Sequence, residues 1–306
     1  MKNTLWVRFL LLFILCPILL SGCNSSKNSS AEEPPVYSPL KVLEPEAPGK
    51  ETIGNPPVVL DLSNKGQGYL TAQVQDSDSR IHIQMTGPDG VLYSYFIDAG
   101  DYAVIPFTSG NGTYQILCYQ QLSNDRYAAL YSESLEITLD NPFLPFLYPN
   151  QYVNFSPESQ ACLLAQSMLP DDAEDVEGLE AVFDYVISHI TYDEEKAQNV
   201  EAGYLPDIDE TLTTGKGICF DYAALMTAML RARDIPCKLQ IGYTGDIKHA
   251  WIDVYIRSKG WVNQAIVFEG ETWTRMDPTF ESSADDSETI REYIGDGSNY
   301  TVQFTR

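Results

Sequence analysis

The hydrophobic repeat of this 306-residue chain changes from strand-like to helical near Asn141-Pro142. Before that point the apolar residues come in short alternating runs bounded by turn signals, the pattern of half-buried strands. The runs are Val58 to Leu62, Tyr69 to Gln75, Arg80 to Met85, Val91 to Ile97, Tyr102 to Phe107, Gly112 to Gln120 and Tyr127 to Leu139. Gly87-Pro88-Asp89-Gly90 and Ser109-Gly110-Asn111-Gly112 carry the residue chemistry of tight connections. About seven strands in about 85 residues predict an antiparallel, Ig-like β-sandwich over residues 57–140. His82 lies between Ile81 and Ile83 and is expected on the solvent face; Cys118 fills a strand position.

After Asn141 an aromatic, proline-broken stretch runs to Phe155, and the period becomes helical. Ser156-Pro157-Glu158 reads as an N-cap with proline at the first helical position, opening a helix to about Leu169. Val176, Leu179, Phe183, Val186 and Ile190 set the core stripe of a second helix from about Asp175 to Ile190. Cys162 and His189 are assigned to this packing and its edge. Strands separated in this way from a helical region give an α+β chain.

The first residues stand apart from the fold. Lys2 and Arg8 precede an apolar run from Phe9 to Leu20, too short to span a bilayer as a helix. It closes in Leu20-Ser21-Gly22-Cys23, which resembles the lipobox of bacterial lipoproteins and implies cleavage of residues 1–22 and lipid attachment at Cys23. Residues 23–56 follow as a tether. Asn24 to Ser30 is nearly all Asn and Ser, and prolines 34, 35, 39, 45, 48, 56 and 57 punctuate the rest. Such a stretch reads as a semi-rigid spacer outside any core. The expected location is therefore export, with an acyl anchor on the extracytoplasmic face of the cell membrane.

Charge narrows the partners. The formal net charge is -24, from 19 basic and 43 acidic residues, which argues against nucleic acid because phosphate binding needs Lys and Arg. Three histidines and no C-x-x-C pair leave no His-rich, zinc or thioredoxin pattern. Asp171-Asp172 and Asp285-Asp286 lack the form of a calcium loop. No metal and no cofactor are expected.

Residues 215 to 236, GKGICFDYAALMTAMLRARDIP, concentrate the chemistry. Gly215 and Gly217 permit a sharp entry into a helix starting near Cys219, with Ala223, Met226 and Leu230 on its core face, and Asp234-Ile235-Pro236 stops it. A cysteine at a helix start meets free N–H groups and the positive dipole end, which favour a thiolate and can hold an oxyanion. Amide chemistry also needs a proton donor for the leaving amine. His249, in His249-Ala250-Trp251 at the head of a strand to Ile256, is available for that. Strands are also expected at Lys238 to Tyr243, at Gly260 to Val262 and at Trp273 to Asp277.

This helix motif, the strand KLQIGY, the HAW tripeptide and MDPTF, in that order over roughly 175 to 280, resemble the transglutaminase-like superfamily. The resemblance implies a papain-like, transglutaminase-type catalytic domain over residues 141–306. It also implies a nucleophile at Cys219, a base and acid at His249, and an orienting carboxylate at Asp277. A thiolate–imidazolium pair with a carboxylate on the second ring nitrogen makes chemical sense of those roles.

The expected function is cleavage or transfer at amide bonds of a protein or peptide, of the cell envelope among the candidates, through a Cys219 thioester. Hydrolysis is favoured over cross-linking. Nothing beyond Trp251 and Trp261 suggests an apolar channel that admits an amine and excludes water, and those two tryptophans read first as core. A non-catalytic surface-binding module is the alternative of another class. A Cys219–Cys237 disulfide would consume the nucleophile, and Cys237 is expected in the core. Gln151 and Tyr192 are the guesses for a side-chain oxyanion donor.

Overall fold

The computed structural model describes residues 40–75, 77–100, 102–123, 126–262, 266–269, 272–275 and 300–306. Cys23 and Asp277 lie outside them.

Two four-stranded antiparallel sheets make the N-terminal body. The first runs in the order β1 (Thr52–Asn55), β2 (Val58–Asp61), β3 (Tyr69–Val74), β6 (Tyr102–Pro106). The second runs β5 (Leu92–Ile97), β4 (Ile81–Thr86), β7 (Gly112–Ser123), β8 (Arg126–Ile137). Alternation decides what goes inward: Ile81, Ile83 and Met85 of β4, Tyr93, Tyr95 and Ile97 of β5, and Ile116 of β7 are buried in one core with Leu60, Leu70 and Ala72 of the other sheet. His82 faces outward as expected, half-buried and stacked 4.3 Å from the Phe96 ring.

The remaining residues fold as mixed helix and sheet. The helices are α1 (Gln160–Met168), α2 (Asp175–His189), α3 (Glu194–Asn199), α4 (Ile208–Thr214) and α5 (Cys219–Arg231). Two short strands, β9 (Thr191–Tyr192) and β10 (Lys216–Gly217), pair in parallel between them. A four-stranded antiparallel sheet follows, in the order β13 (Gly260–Val262), β12 (Ile247–Ile256), β11 (Cys237–Thr244), β16 (Tyr300–Thr305). A hairpin of β14 (Ile266–Glu269) and β15 (Thr272–Arg275) completes the strands.

The structure corrects the sequence reading at three places. First, α1 starts at Gln160, not at Ser156, because the N–H groups of Gln160 and Ala161 are capped by the Asp209 carboxylate at 3.1 and 3.0 Å. That partner is far along the chain, so no local motif announces it. Second, α5 is buried on every side from Asp221 to Arg231, not on one face. It packs against α1, α2 and α4 as well as β11 and β12, and a surrounded helix needs no polar stripe. Third, part of the segment read as a tether is packed structure. Val42, 3% exposed, belongs to the core around α5, the Leu40 carbonyl accepts from Gln166 at 3.2 Å, and β1 pairs with β2.

One buried cation ties this half together. Arg231, at the end of α5, donates to the carbonyls of Cys237, Tyr148 and Arg306 at 2.7–3.1 Å. Arg306 in turn lies 4.0–4.9 Å from the ring centres of Tyr93, Tyr95 and Tyr152, and donates to the Tyr95 hydroxyl at 2.9 Å. The last strand is thereby pinned both to α5 and to the inner face of β5.

Candidate active site

The entry to α5 is built from glycines and one carboxylate. Gly215 ends α4 with φ +64°, in the left-handed region that favours glycine. The chain then passes through β10, where the N–H groups of Thr191 and Asp193 bond to the carbonyls of Gly215 and Gly217 at 2.9 Å. Ile218 is extended and offers no capping side chain; instead its own N–H donates to Asp221 Oδ2 at 2.8 Å. A Cβ on Gly217 would sit 2.7 Å from the Asp221 Cβ, so only glycine lets the carboxylate close on the turn. Cys219 is thus presented, partly exposed, in the first turn of α5.

His249 arrives on β12, where the register pairs it with Gly242 of β11. Gly242 has no freedom to change, because a Cβ there would run into the Thr301 carbonyl of β16 and the Trp251 ring. The histidine is 7% exposed and its ring lies nearly parallel to that of Trp251, 6.5 Å between centres.

Cys219 and His249 line one cleft of about 860 Å³. Its walls include the stretch from Val200 to Leu205 and Leu92, Phe96 and Tyr102 of the N-terminal body. Leu92, Phe96, Tyr102, Val200, Leu205 and Ile247 are large apolar side chains exposed by 38–70%, and all six face this cleft. So much apolar surface in one concavity marks a binding groove. The third residue of the expected triad, Asp277, is among those the structure does not describe.

The remaining sequence readings sort plainly. Cys118, Cys162, Cys219 and Cys237 are all free thiols, so Cys219 and Cys237 form no disulfide. Burial pushes the thiols of Cys118 up to about 11 and of Cys162 and Cys237 up to about 12. Trp251 is fully buried, and half-buried Trp261 packs on Phe146 and Tyr255; neither lines the cleft. Gln151 does reach the cleft, but its amide donates to the Phe96 carbonyl at 2.6 Å and braces the wall. Tyr192 lines the cleft as well. His189 stacks on Tyr185 at 4.0 Å, at the exposed end of α2. Among the described residues no group of three His, Cys, Asp or Glu side chains could hold a metal ion.

Sequence reasoning missed a buried group in the same helix turn as Cys219. Asp221, with no exposed surface, accepts from the Tyr204 hydroxyl at 2.5 Å and pairs with Lys196 Nζ at 2.8 Å. Lys196 also donates to the Tyr204 oxygen at 2.7 Å. Burial and the neighbouring Asp221 push the Tyr204 phenol up to about 12, so it stays a donor. The short helix α3 that carries Lys196 is announced only by Asp193, whose side chain accepts from the Lys196 N–H.

Cys219, in the first turn of a buried helix, and His249, on β12, line the same apolar groove of a chain of mixed helix and sheet, an arrangement that supports a cysteine-type enzyme in general. Residues 163–278, a little over a third of the chain, match the model of the Transglutaminase-like superfamily, so that stretch is similar to a transglutaminase-like domain. Mouse (Mus musculus) kyphoscoliosis peptidase is 27% identical over 140 residues, covering 42% of this chain and 19% of the relative; the chain thus spans about a fifth of that protein. Among solved structures, a candidate cysteine protease from Cytophaga hutchinsonii overlaps with a TM-score of 0.36 at 17% identity, covering 69% of this chain and 74% of that one. For red sea bream transglutaminase the TM-score is 0.28 at 13% identity, over 71% of this chain and 48% of that one.

Proposed function

We propose that the protein is an exported, lipid-anchored cysteine enzyme that opens amide bonds of a protein or peptide through a thioester on Cys219, with hydrolysis favoured over cross-linking. The observation that carries this reading is the shared cleft of Cys219 and His249, one at a helix start and the other on a strand. Its N-terminal wall comes from a body we read as a β-sandwich.

The chemistry follows from those positions. The Cys219 thiolate attacks the amide carbonyl, and the new C–S bond pushes the carbonyl electrons onto oxygen, a charge assigned to the N–H groups of the first turn of α5. As the tetrahedral centre collapses, His249 as imidazolium gives its proton to the departing amine and the C–N bond breaks. Neutral His249 then takes a proton from water, whose oxygen attacks the thioester carbon; the carboxylic acid leaves and the thiolate returns. Asp277 is assigned the orientation of the imidazole. An amine in place of water gives a cross-link. The two tryptophans considered for an amine channel pack away from the cleft, which favours water as the acceptor. The exposed apolar walls favour an acyl donor with large apolar side chains beside the scissile amide.

Peptides rich in apolar residues, some with glutamine, incubated with and without a primary amine, test the reaction. Peptide-bond cleavage or ammonia release is expected, with little amine incorporation; preferential incorporation at low amine concentration reverses the order. Fatty-acid labelling tests the anchor: label is expected in the wild type and lost with Cys23→Ala.

A further inference from the structure

The Asp221 carboxylate creates a problem for a nucleophile at Cys219. It lies in the same first turn of α5 and reaches back to the N–H of Ile218, the residue before the cysteine. A buried negative charge there opposes the positive end of the helix and raises the cost of a second negative charge on the neighbouring sulfur. One of its oxygens holds the turn by accepting from that N–H, a role the oxygen of an amide can also fill.

The answer comes from the cleft wall. Lys196 Nζ is 2.8 Å from Asp221 Oδ2, with the ammonium partly exposed and the carboxylate fully buried. Its charge is also held over the Tyr204 ring, 4.5 Å from the centre. Tyr204 closes the triangle, taking a hydrogen bond from Lys196 and giving one to Asp221 Oδ1, and it packs edge-on to Phe220, beside Cys219. Ala197, one residue after Lys196, and the stretch from Val200 to Tyr204 form the cleft wall itself.

We infer that Lys196 is a positioning residue for the nucleophile: carried on the cleft wall, its ammonium neutralises the buried Asp221 carboxylate and so allows Cys219 to ionise. This rests on the reading of Cys219 as the nucleophile. The wall lining the cleft thereby also sets the charge in the helix turn that carries Cys219, and displacing that wall lowers the reactivity of the thiol.

The test is the pH profile of iodoacetamide alkylation at Cys219, followed by mass spectrometry in the intact protein, which needs no known substrate. The other titratable groups lining the cleft are Tyr102, Tyr152, Tyr192, Glu201, Lys248 and His249, with the Arg80–Asp98 pair and Arg306; none is altered in the variants. Lys196→Met leaves Asp221 unpaired, so its profile moves up by about one pH unit and alkylation at neutral pH slows about tenfold. Lys196→Arg keeps the wild-type profile, and the double variant Lys196→Met/Asp221→Asn returns close to it. A Lys196→Met profile that coincides with the wild type, or a double variant as slow as the single one, overturns the proposal. If Lys196→Met does not fold by far-UV circular dichroism, Asp221→Asn decides alone: alkylation several-fold faster at neutral pH supports the proposal, and an unchanged rate overturns it. A wild-type Cys219 that titrates like an ordinary cysteine overturns the nucleophile reading and this one with it; a shifted wild type with indifferent variants overturns this one alone.

Discussion

The two-sheet body and the helical half bury similar apolar side chains but differ in what polar groups they bury. Among the described residues, Asp61 and Thr71 are the only buried polar or charged residues before Asn141, whereas Asn150, Asp175, Thr211, Asp221, Thr227, Arg231, Arg233, Gln240, His249, Asp253 and Arg306 follow it. A core of alternating Ile, Val and Tyr needs no polar interior, because the strand ladders satisfy the backbone. The second half wraps a helix on all sides and must hold loops, a helix start and a strand end in fixed relation. Buried guanidinium groups do that by reaching several carbonyls at once, as Arg231 and Arg233 do, and buried carboxylates by joining a backbone N–H to a side chain, as Asp221 does. The chemistry proposed for the protein lies where such groups converge on a cleft, to which the apolar body contributes a wall.

The largest expected break is at the nucleophile. Cys219→Ala should lower turnover by about 10⁴-fold while leaving the melting temperature within a few degrees, because a partly exposed thiol contributes little packing. His249→Ala should cost nearly as much, and both are read from the same peptide assay with circular dichroism alongside.

A pair of core variants sharpens the contrast in stability. Arg231→Ala strands the carbonyls of Cys237, Tyr148 and Arg306 and should destabilise by about 3–5 kcal/mol in urea unfolding. Ile116→Ala, in the apolar body, should cost about 2–4 kcal/mol through lost transfer energy and a cavity. The two differ in a second readout: Arg231→Ala should slow alkylation of Cys219 well below its unfolding midpoint, and Ile116→Ala should not.

The smallest effect probes the wall. Leu92→Ser, nearly half exposed at the cleft, should raise KM about threefold to tenfold for an apolar peptide with kcat little changed, since it removes binding without touching the reacting atoms. An unchanged KM would leave the N-terminal body a support and nothing more.

Much of this was legible in the residues themselves. Period-two runs such as Ile81 to Met85 placed the strands, because a half-buried strand must alternate. The glycines before Cys219 and the Asp-Ile-Pro after Arg233 bounded the central helix, because backbone chemistry acts over a few residues. The cysteine and histidine of the cleft were readable from their motifs for the same reason. What the residues could not show depends on groups distant in sequence. Val42 leaves a proline-rich stretch to enter the core; α3 and α4 are too short to repeat the helical period over two full turns; and the Asp209 carboxylate, not Ser156, fixes where α1 begins. Lys196 looks like one more surface lysine until the chain folds. Only the tertiary structure sets it against Asp221, because burial makes the carboxylate demand a cation and a fixed wall of the cleft is the nearest place from which one can come.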